Sequence, residues 1–213
     1  MFIRLLRSRT FFREAFFYTH IIPSELKTLF FYTDYFIAKF MNPSLLFWLR
    51  SLRGRVKPRV YIETSIPSFY FEVRTKLEMV ARREWTRLWW SRRRENYDVV
   101  SSEAVLAELA GGNFPGKSEA LELVSQLPLL AIEEPIMEIV EAYIKHSLMP
   151  RDPLGDALHL AITSYHGCDF LLTWNCKHIA NANKFAHIRR VNAILGIYCP
   201  SLVTPLELLE VLE

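Results

Sequence analysis

Cysteine is scarce. The 213 residues contain only Cys168, Cys176 and Cys199, an odd number whose spacing offers neither a disulfide framework nor a paired metal-ligand motif. A reducing compartment, the cytoplasm, is the expected setting. Also missing is any apolar run near the roughly 18 to 20 residues that cross a bilayer. In the first 58 residues each such run, 15–22 and 41–49 among them, is cut short by a charge or a proline. A secretory signal is not expected either, because Arg4, Arg7, Arg9 and Arg13 break up the place where an apolar stretch would sit.

What is present is the composition of a folded protein: 51% hydrophobic and 23% charged residues are enough to build a core. The net charge of +3 conceals an asymmetry. Residues 1–58 carry ten Lys/Arg against three Asp/Glu, and residues 59–213 carry sixteen against twenty. Ten of the fifteen phenylalanines also precede residue 59. These two independent shifts divide the chain near Lys57-Pro58 into a basic, aromatic N-terminal extension, 1–58, and a mildly acidic domain, 59–213. The extension admits three readings: a poorly ordered or loosely helical appendage, with Met41 as an alternative start; an amphipathic segment lying on a membrane surface or a partner; or helices packed on the domain.

Within the domain, short β-branched runs alternate with helical periodicity. Arg59 to Glu63 reads as a strand feeding a turn and a helix. Leu77, Ala81, Trp85 and Leu88 then mark an amphipathic helix over 76–94, with arginines on its other face. A second strand is expected at 98–101, helices at 102–110 and 117–126, and a third strand at 129–132. Further helices are expected at 135–146 and at 153–166, the latter capped by Asp152. The remainder reads as a strand at 169–173, a largely helical 177–195, a short strand at 197–199, and a capping box at Thr204 to Glu207 that starts a last helix. The alternation implies an α/β fold, a three-layer α/β/α sandwich whose mostly parallel sheet is covered on both faces. Sites in such sheets form beyond the carboxyl ends of the strands.

Acids recur at that level. Glu63 ends the first strand, and Glu108 sits in the apolar stretch Val105-Leu-Ala-Glu-Leu109. Asp152 and Asp156, four apart at one helix start, should share a face, and Asn175 follows the fourth strand. Each has an ordinary explanation: a strand-end ion pair for Glu63, an exposed helix acid for Glu108, a helix cap for Asp152 or Asn175, a dipole-favoured first-turn acid for Asp156. Taken together they suggest a cluster. Two carboxylates about 4 Å apart repel by roughly 4 kcal/mol at an effective dielectric of 20, which a cation relieves. Oxygen ligands without a Cys or His cage suit Mg²⁺ or Mn²⁺.

Tyr61-Ile-Glu-Thr-Ser65, the helix of Glu108, Asp156-Ala-Leu-His-Leu-Ala161 and Leu171-Leu-Thr-Trp-Asn175 resemble, in that order, the acidic motifs of PIN-domain ribonucleases, and most closely VapC-like toxins of type II toxin-antitoxin systems. The resemblance covers 59–213 and none of the first 58 residues. It implies a Mg²⁺- or Mn²⁺-dependent endoribonuclease acting on an RNA substrate, dimeric, and neutralised by a small VapB-like antitoxin. Glu63, Glu108 and Asp156 would hold the metal, with Asn175 completing the catalytic set. Asp152, Thr64, Ser65 and Thr173 would support it or contact phosphate.

Two positions depart from the family pattern. Glu63 stands where Asp is usual and reaches one methylene further, and Asn175 stands where a fourth acid is usual, removing one charge. A single metal is therefore the expected form, with Asp152 a candidate to restore the missing charge. His159 and His178, three residues beyond Asp156 and Asn175, are expected near the site in packing or hydrogen-bonding roles. The arginines at 82, 83, 87, 92, 93 and 94 are open to two readings, a track for an RNA backbone or a solvated basic face. Trp85, Trp89 and Trp90 read as core or dimer contacts. The rival function is a PIN-like module with substituted acids that binds RNA or a protein without cutting. An aspartyl-phosphate phosphatase is disfavoured, since the first strand ends in Glu63 with no Asp nucleophile.

Overall fold

The structure, a computed structural model, describes residues 57–149 and 152–209; the expectations placed on residues 1–56 lie outside the described residues. Five strands, β1 (Arg59–Ile62), β2 (Asp98–Ser102), β3 (Leu129–Leu130), β4 (Phe170–Leu172) and β5 (Ser201–Val203), form one sheet in the order β3-β2-β1-β4-β5. All four pairings are parallel. Seven α-helices lie among the described residues: α1 (Ser65–Tyr70), α2 (Leu77–Arg92), α3 (Glu103–Gly111), α4 (Lys117–Ser125), α5 (Glu134–Lys145), α6 (Asp156–Tyr165) and α7 (Ala182–Leu195). This is an α/β fold. No helix among the described residues is long and apolar enough to cross a membrane.

The sheet is buried on both faces, which explains why β1 is apolar throughout rather than alternating. Val60, Tyr61 and Ile62 are all fully buried. Because successive side chains point to opposite faces, Tyr61 joins the larger core with Val105, Leu109, Val140 and Leu160. Val60 and Ile62 join a second core built around Ile66, Trp89, Leu172 and Trp174. Of the three tryptophans in the arginine-rich helix, Trp89 is fully buried in that second core and Trp85 and Trp90 pack against it. Their core reading holds.

Chain order reverses between β1 and β4: the chain runs outward from β1 to β3, then returns to the other edge of β1. Such a switch opens a crevice at the carboxyl ends of the two strands concerned. Here those ends are Glu63 and Thr173.

Three local expectations need correction. Helix α6 begins at Asp156 with Gly155 as its N-cap, not at Pro153 with Asp152. The Asp152 carboxylate instead accepts from the Leu154 N–H at 3.0 Å, a local turn that competes with helix initiation. The last strand is Ser201–Val203 rather than 197–199. Ile197 N–H donates to the Asn192 carbonyl and Asn192 Nδ2 donates to the Tyr198 carbonyl, so that segment is tied to the end of α7. Helix α7 itself starts at Ala182, after an Asn181 cap whose side chain accepts from Asn183 N–H. At the C-terminal end, Glu207 reaches back to the N–H and hydroxyl of Thr204, one half of a capping box, but the Glu207 N–H donates to the Thr204 carbonyl. The next residues form a turn rather than the expected helix, and those from 210 onward lie outside the described residues.

Candidate functional site

Strand alternation decides which side chains reach the crevice. Glu63 lies two residues beyond Tyr61 and so emerges over the same face. On β4, Leu171 joins the larger core and Leu172 the second. Thr173 therefore belongs on the Glu63 side, while Trp174 turns into the second core. The Trp174 indole Nε1–H donates to Thr86 Oγ1 of α2 at 2.7 Å, and its ring stacks on Trp85 with centroids 6.0 Å apart. Asn175 is thereby returned to the crevice.

Glu63 is 5% exposed. Its Oε2 accepts from the Ser65 N–H at 2.9 Å, and its Oε1 accepts from the Ser65 hydroxyl. Burial raises the Glu63 pKa above the ordinary carboxylate value, against the opposing pull of His159, of Ser65 and of the Thr173 hydroxyl. Ser65 Oγ also accepts from the Trp174 N–H at 2.7 Å, so one serine joins the ends of β1 and β4. The neighbouring Thr64 hydroxyl donates to Glu108 Oε2.

Glu108 projects from α3 one turn beyond the buried Ala104 and beside the buried Leu109, at the rim of the apolar stripe. Its side chain is 34% exposed, with Oε2 lying 3.2 Å from Nε2 of the buried His159. That contact is close but not aligned as a hydrogen bond. Burial works to raise the Glu108 pKa; the histidine and the Thr64 hydroxyl together outweigh it and hold the group below its ordinary value. Among the described residues, His159 is the one basic side chain in ion-pair contact with Glu63, Glu108 or Asp156.

Asp156 occupies the first position of α6, where the helix dipole favours a negative charge. Its Oδ1 accepts from Asn175 Nδ2 at 2.7 Å. Asn175 is held on both sides, its N–H donating to Thr173 Oγ1 at 2.7 Å and its Oδ1 accepting from His178 N–H at 3.1 Å. Two groupings thus form at the sheet end: Glu63, Glu108 and His159 joined through Thr64 and Ser65, and Asp156 with Asn175. Thr173 links them. Asp152 does not join either; it is exposed in the turn before α6.

The chain matches no protein-family model, no curated protein and no solved structure with which it was compared.

The donors gathered here are hard oxygens, and Glu63 is a carboxylate whose burial disfavours its charge, the situation a divalent cation relieves. Among the described residues, no three of these side chains stand as a preassembled ligand group. The hydroxyls of Thr64, Ser65 and Thr173 are engaged with Glu108, Glu63 and the Asn175 N–H. Sequence reasoning left Tyr61 and Ser102 out of the site. Tyr61 OH lies 2.7 Å from Ser102 Oγ and 2.8 Å from His159 Nδ1. A hydroxyl-bearing aromatic two residues before a strand-end acid was the available signal.

The arginine-rich helix binds its own domain. Arg82 pairs with Glu78 and lies over the rings of Phe69 and Trp174. Arg87 donates to the Tyr70 carbonyl and covers the Tyr70 ring, and Arg94 covers Trp90. These guanidinium groups fasten α2 to its surroundings.

Proposed function

We propose that the domain is a PIN-like, Mg²⁺- or Mn²⁺-dependent endoribonuclease and the toxin of a toxin-antitoxin pair. The observation that carries this reading is the set of side-chain bonds joining the first three acidic motifs and the asparagine of the fourth at one sheet end: Thr64 with Glu108, Ser65 with Glu63 and the Trp174 N–H, and Asn175 with Asp156. Glu63, Glu108 and Asp156 would hold the cation, which supplies activation of water and neutralisation of phosphoryl charge. Asn175 would keep Asp156 oriented, and Thr173 would fix the turn that carries Asn175. The expected partners are RNA, a second copy of the chain and a small antitoxin whose tail fills the acidic crevice.

One observation favours a second reading. Asn175 is a donor to Asp156 where an acid would repel it, so the site tolerates the absence of a metal better than a four-acid site would. A PIN-like module that binds RNA or protein without cutting fits that feature.

The two are separated by incubating the full chain with single-stranded and structured RNA in Mg²⁺ or Mn²⁺. The nuclease reading expects cleavage that EDTA and Asp156→Asn both abolish. Absence of cleavage on every RNA with either metal removes it. A small antitoxin encoded beside this chain, co-purifying with it and blocking cleavage, is the expected result for the toxin assignment.

A further inference from the structure

The acid cluster is backed by a buried chain of polar groups that a metal-only mechanism does not use. Ser102 is fully buried, Tyr61 fully buried and His159 2% exposed. The chain runs from Ser102 Oγ through Tyr61 OH to His159 Nδ1, at 2.7 and 2.8 Å. At its end, Nε2 has no aligned hydrogen-bond partner and lies 3.2 Å from Glu108 Oε2.

A ring protonated on both nitrogens donates from Nδ1 to Tyr61, which donates to Ser102, and turns an Nε2–H to Glu108; for the neutral ring the protons are placed by elimination. A phenol keeps its proton at neutral pH and has one to give. In one arrangement Ser102 donates to Tyr61, Tyr61 donates to the Nδ1 lone pair, and the ring carries its proton on Nε2. An N–H then faces the carboxylate. In the reverse arrangement Nδ1–H donates to Tyr61, Tyr61 donates to Ser102, and the Nε2 lone pair confronts a carboxylate oxygen. Two acceptors 3.2 Å apart in a buried setting repel, and a buried nitrogen is left unsatisfied.

We infer that the His159 Nε2–H, backed on the far side of the ring by Tyr61 and Ser102, holds Glu108 together with the Thr64 hydroxyl by one oxygen so that the other is presented to the crevice. Both contacts fall on Oε2 of Glu108, and neither engages Oε1. His159 is in this sense a positioning residue, acting through Glu108. An outer hydrogen bond that selects a histidine tautomer is a recurrent device of metal sites; here the histidine would position a carboxylate rather than bind the ion. The inference deepens the reading of Glu108 as a metal ligand and rests on it for its affinity arm only.

The test has two arms on the full chain. In ¹⁵N-labelled, metal-free protein, long-range proton–nitrogen spectra are expected to show His159 protonated at Nε2. Glu108→Ala, which removes the carboxylate facing Nε2, is expected to release the ring into a mixture of tautomers. A ring protonated at Nδ1 alone in the wild type, or an unchanged spectrum in Glu108→Ala, overturns the inference. In the second arm, Mn²⁺ is titrated calorimetrically. His159→Leu should weaken binding by about tenfold or more, as loss of such supporting groups does. His159→Gln, which keeps an Nε2 donor, should stay within about threefold of wild type. Equal affinity of the Leu and Gln variants overturns the inference, because a space-filling role would not distinguish them in this direction. Should the wild type bind no Mn²⁺, the metal reading falls and the nitrogen spectra alone decide the positioning role.

Discussion

Asn175 Nδ2 donates to Asp156 Oδ1 across 2.7 Å, so a residue standing where an acid was expected is a donor to the acid it faces. Asn175→Asp puts two carboxylates at that separation. Repulsion of roughly 4 kcal/mol at 4 Å and an effective dielectric of 20 is expected to lower the melting temperature of the metal-free protein at pH 7.5. Saturating Mn²⁺ should recover more stability in the variant than in the wild type, as differential scanning calorimetry with and without metal would show. An unchanged metal-free melting temperature would mean that the two side chains separate freely.

Removing a proposed metal ligand gives a sharper outcome. Glu108→Gln and Asp156→Asn keep shape and lose charge, and each is expected to reduce kcat/KM on RNA by about a hundredfold or more, on the order of 3 kcal/mol of lost transition-state stabilisation. Circular dichroism should show the fold intact. Asp152→Asn, in the turn outside both groupings, should leave cleavage within about twofold by the same measure.

The raised pKa of Glu63 has a definite sign in stability. An acid raised in the folded state contributes stability below its unfolded pKa and loses that contribution as pH rises through its folded value. The metal-free wild type should therefore lose stability as pH climbs above the ordinary carboxylate range. Glu63→Gln should lose less over the same interval, read as melting temperature from pH 4 to pH 8 in EDTA. Parallel pH profiles for the two proteins would count against burial as the dominant influence on this group.

Away from the acids, Trp174 ties the crevice to α2. Thr86→Val keeps volume but leaves the buried indole N–H without its acceptor, an expected cost of about 1–3 kcal/mol. Trp174→Ala removes a nearly buried ring and should cost about 3–5 kcal/mol. Urea unfolding curves measure both.

Much of this was legible in the sequence, because both periodicities were strong where they mattered. The apolar Val60-Tyr-Ile62 run marked a strand buried on both faces, and the strand-end rule placed Glu63 and Asn175 correctly at the crevice. Two places misled for physical reasons. The Asp152-Pro153 pair has the composition of a helix start, but an aspartate can satisfy the N–H two residues on, and here it does so with Leu154. Ile197-Tyr-Cys199 is strand-like in composition, but Asn192 captures its backbone, and the parallel register passes to Ser201–Val203. His159 was placed near the site yet its function was not visible, since hydrogen-bond partners 41 to 98 residues apart leave no trace in local pattern.

Glu63 is carried by the middle strand of five, whose backbone is bonded to neighbours on both sides, whereas Asp156 and Asn175 are carried by a helix start and a turn. The two halves of the crevice therefore differ in how readily their backbones can adjust. Opening the first means breaking the centre of the sheet, which in amide exchange is the kind of element that yields only with global unfolding. The second can shift by changes in a few loop dihedrals. A ligand bound there would be accommodated on the Asp156–Asn175 side, and exchange rates that differ across the crevice are the expected signature of a fixed wall facing an adaptable one.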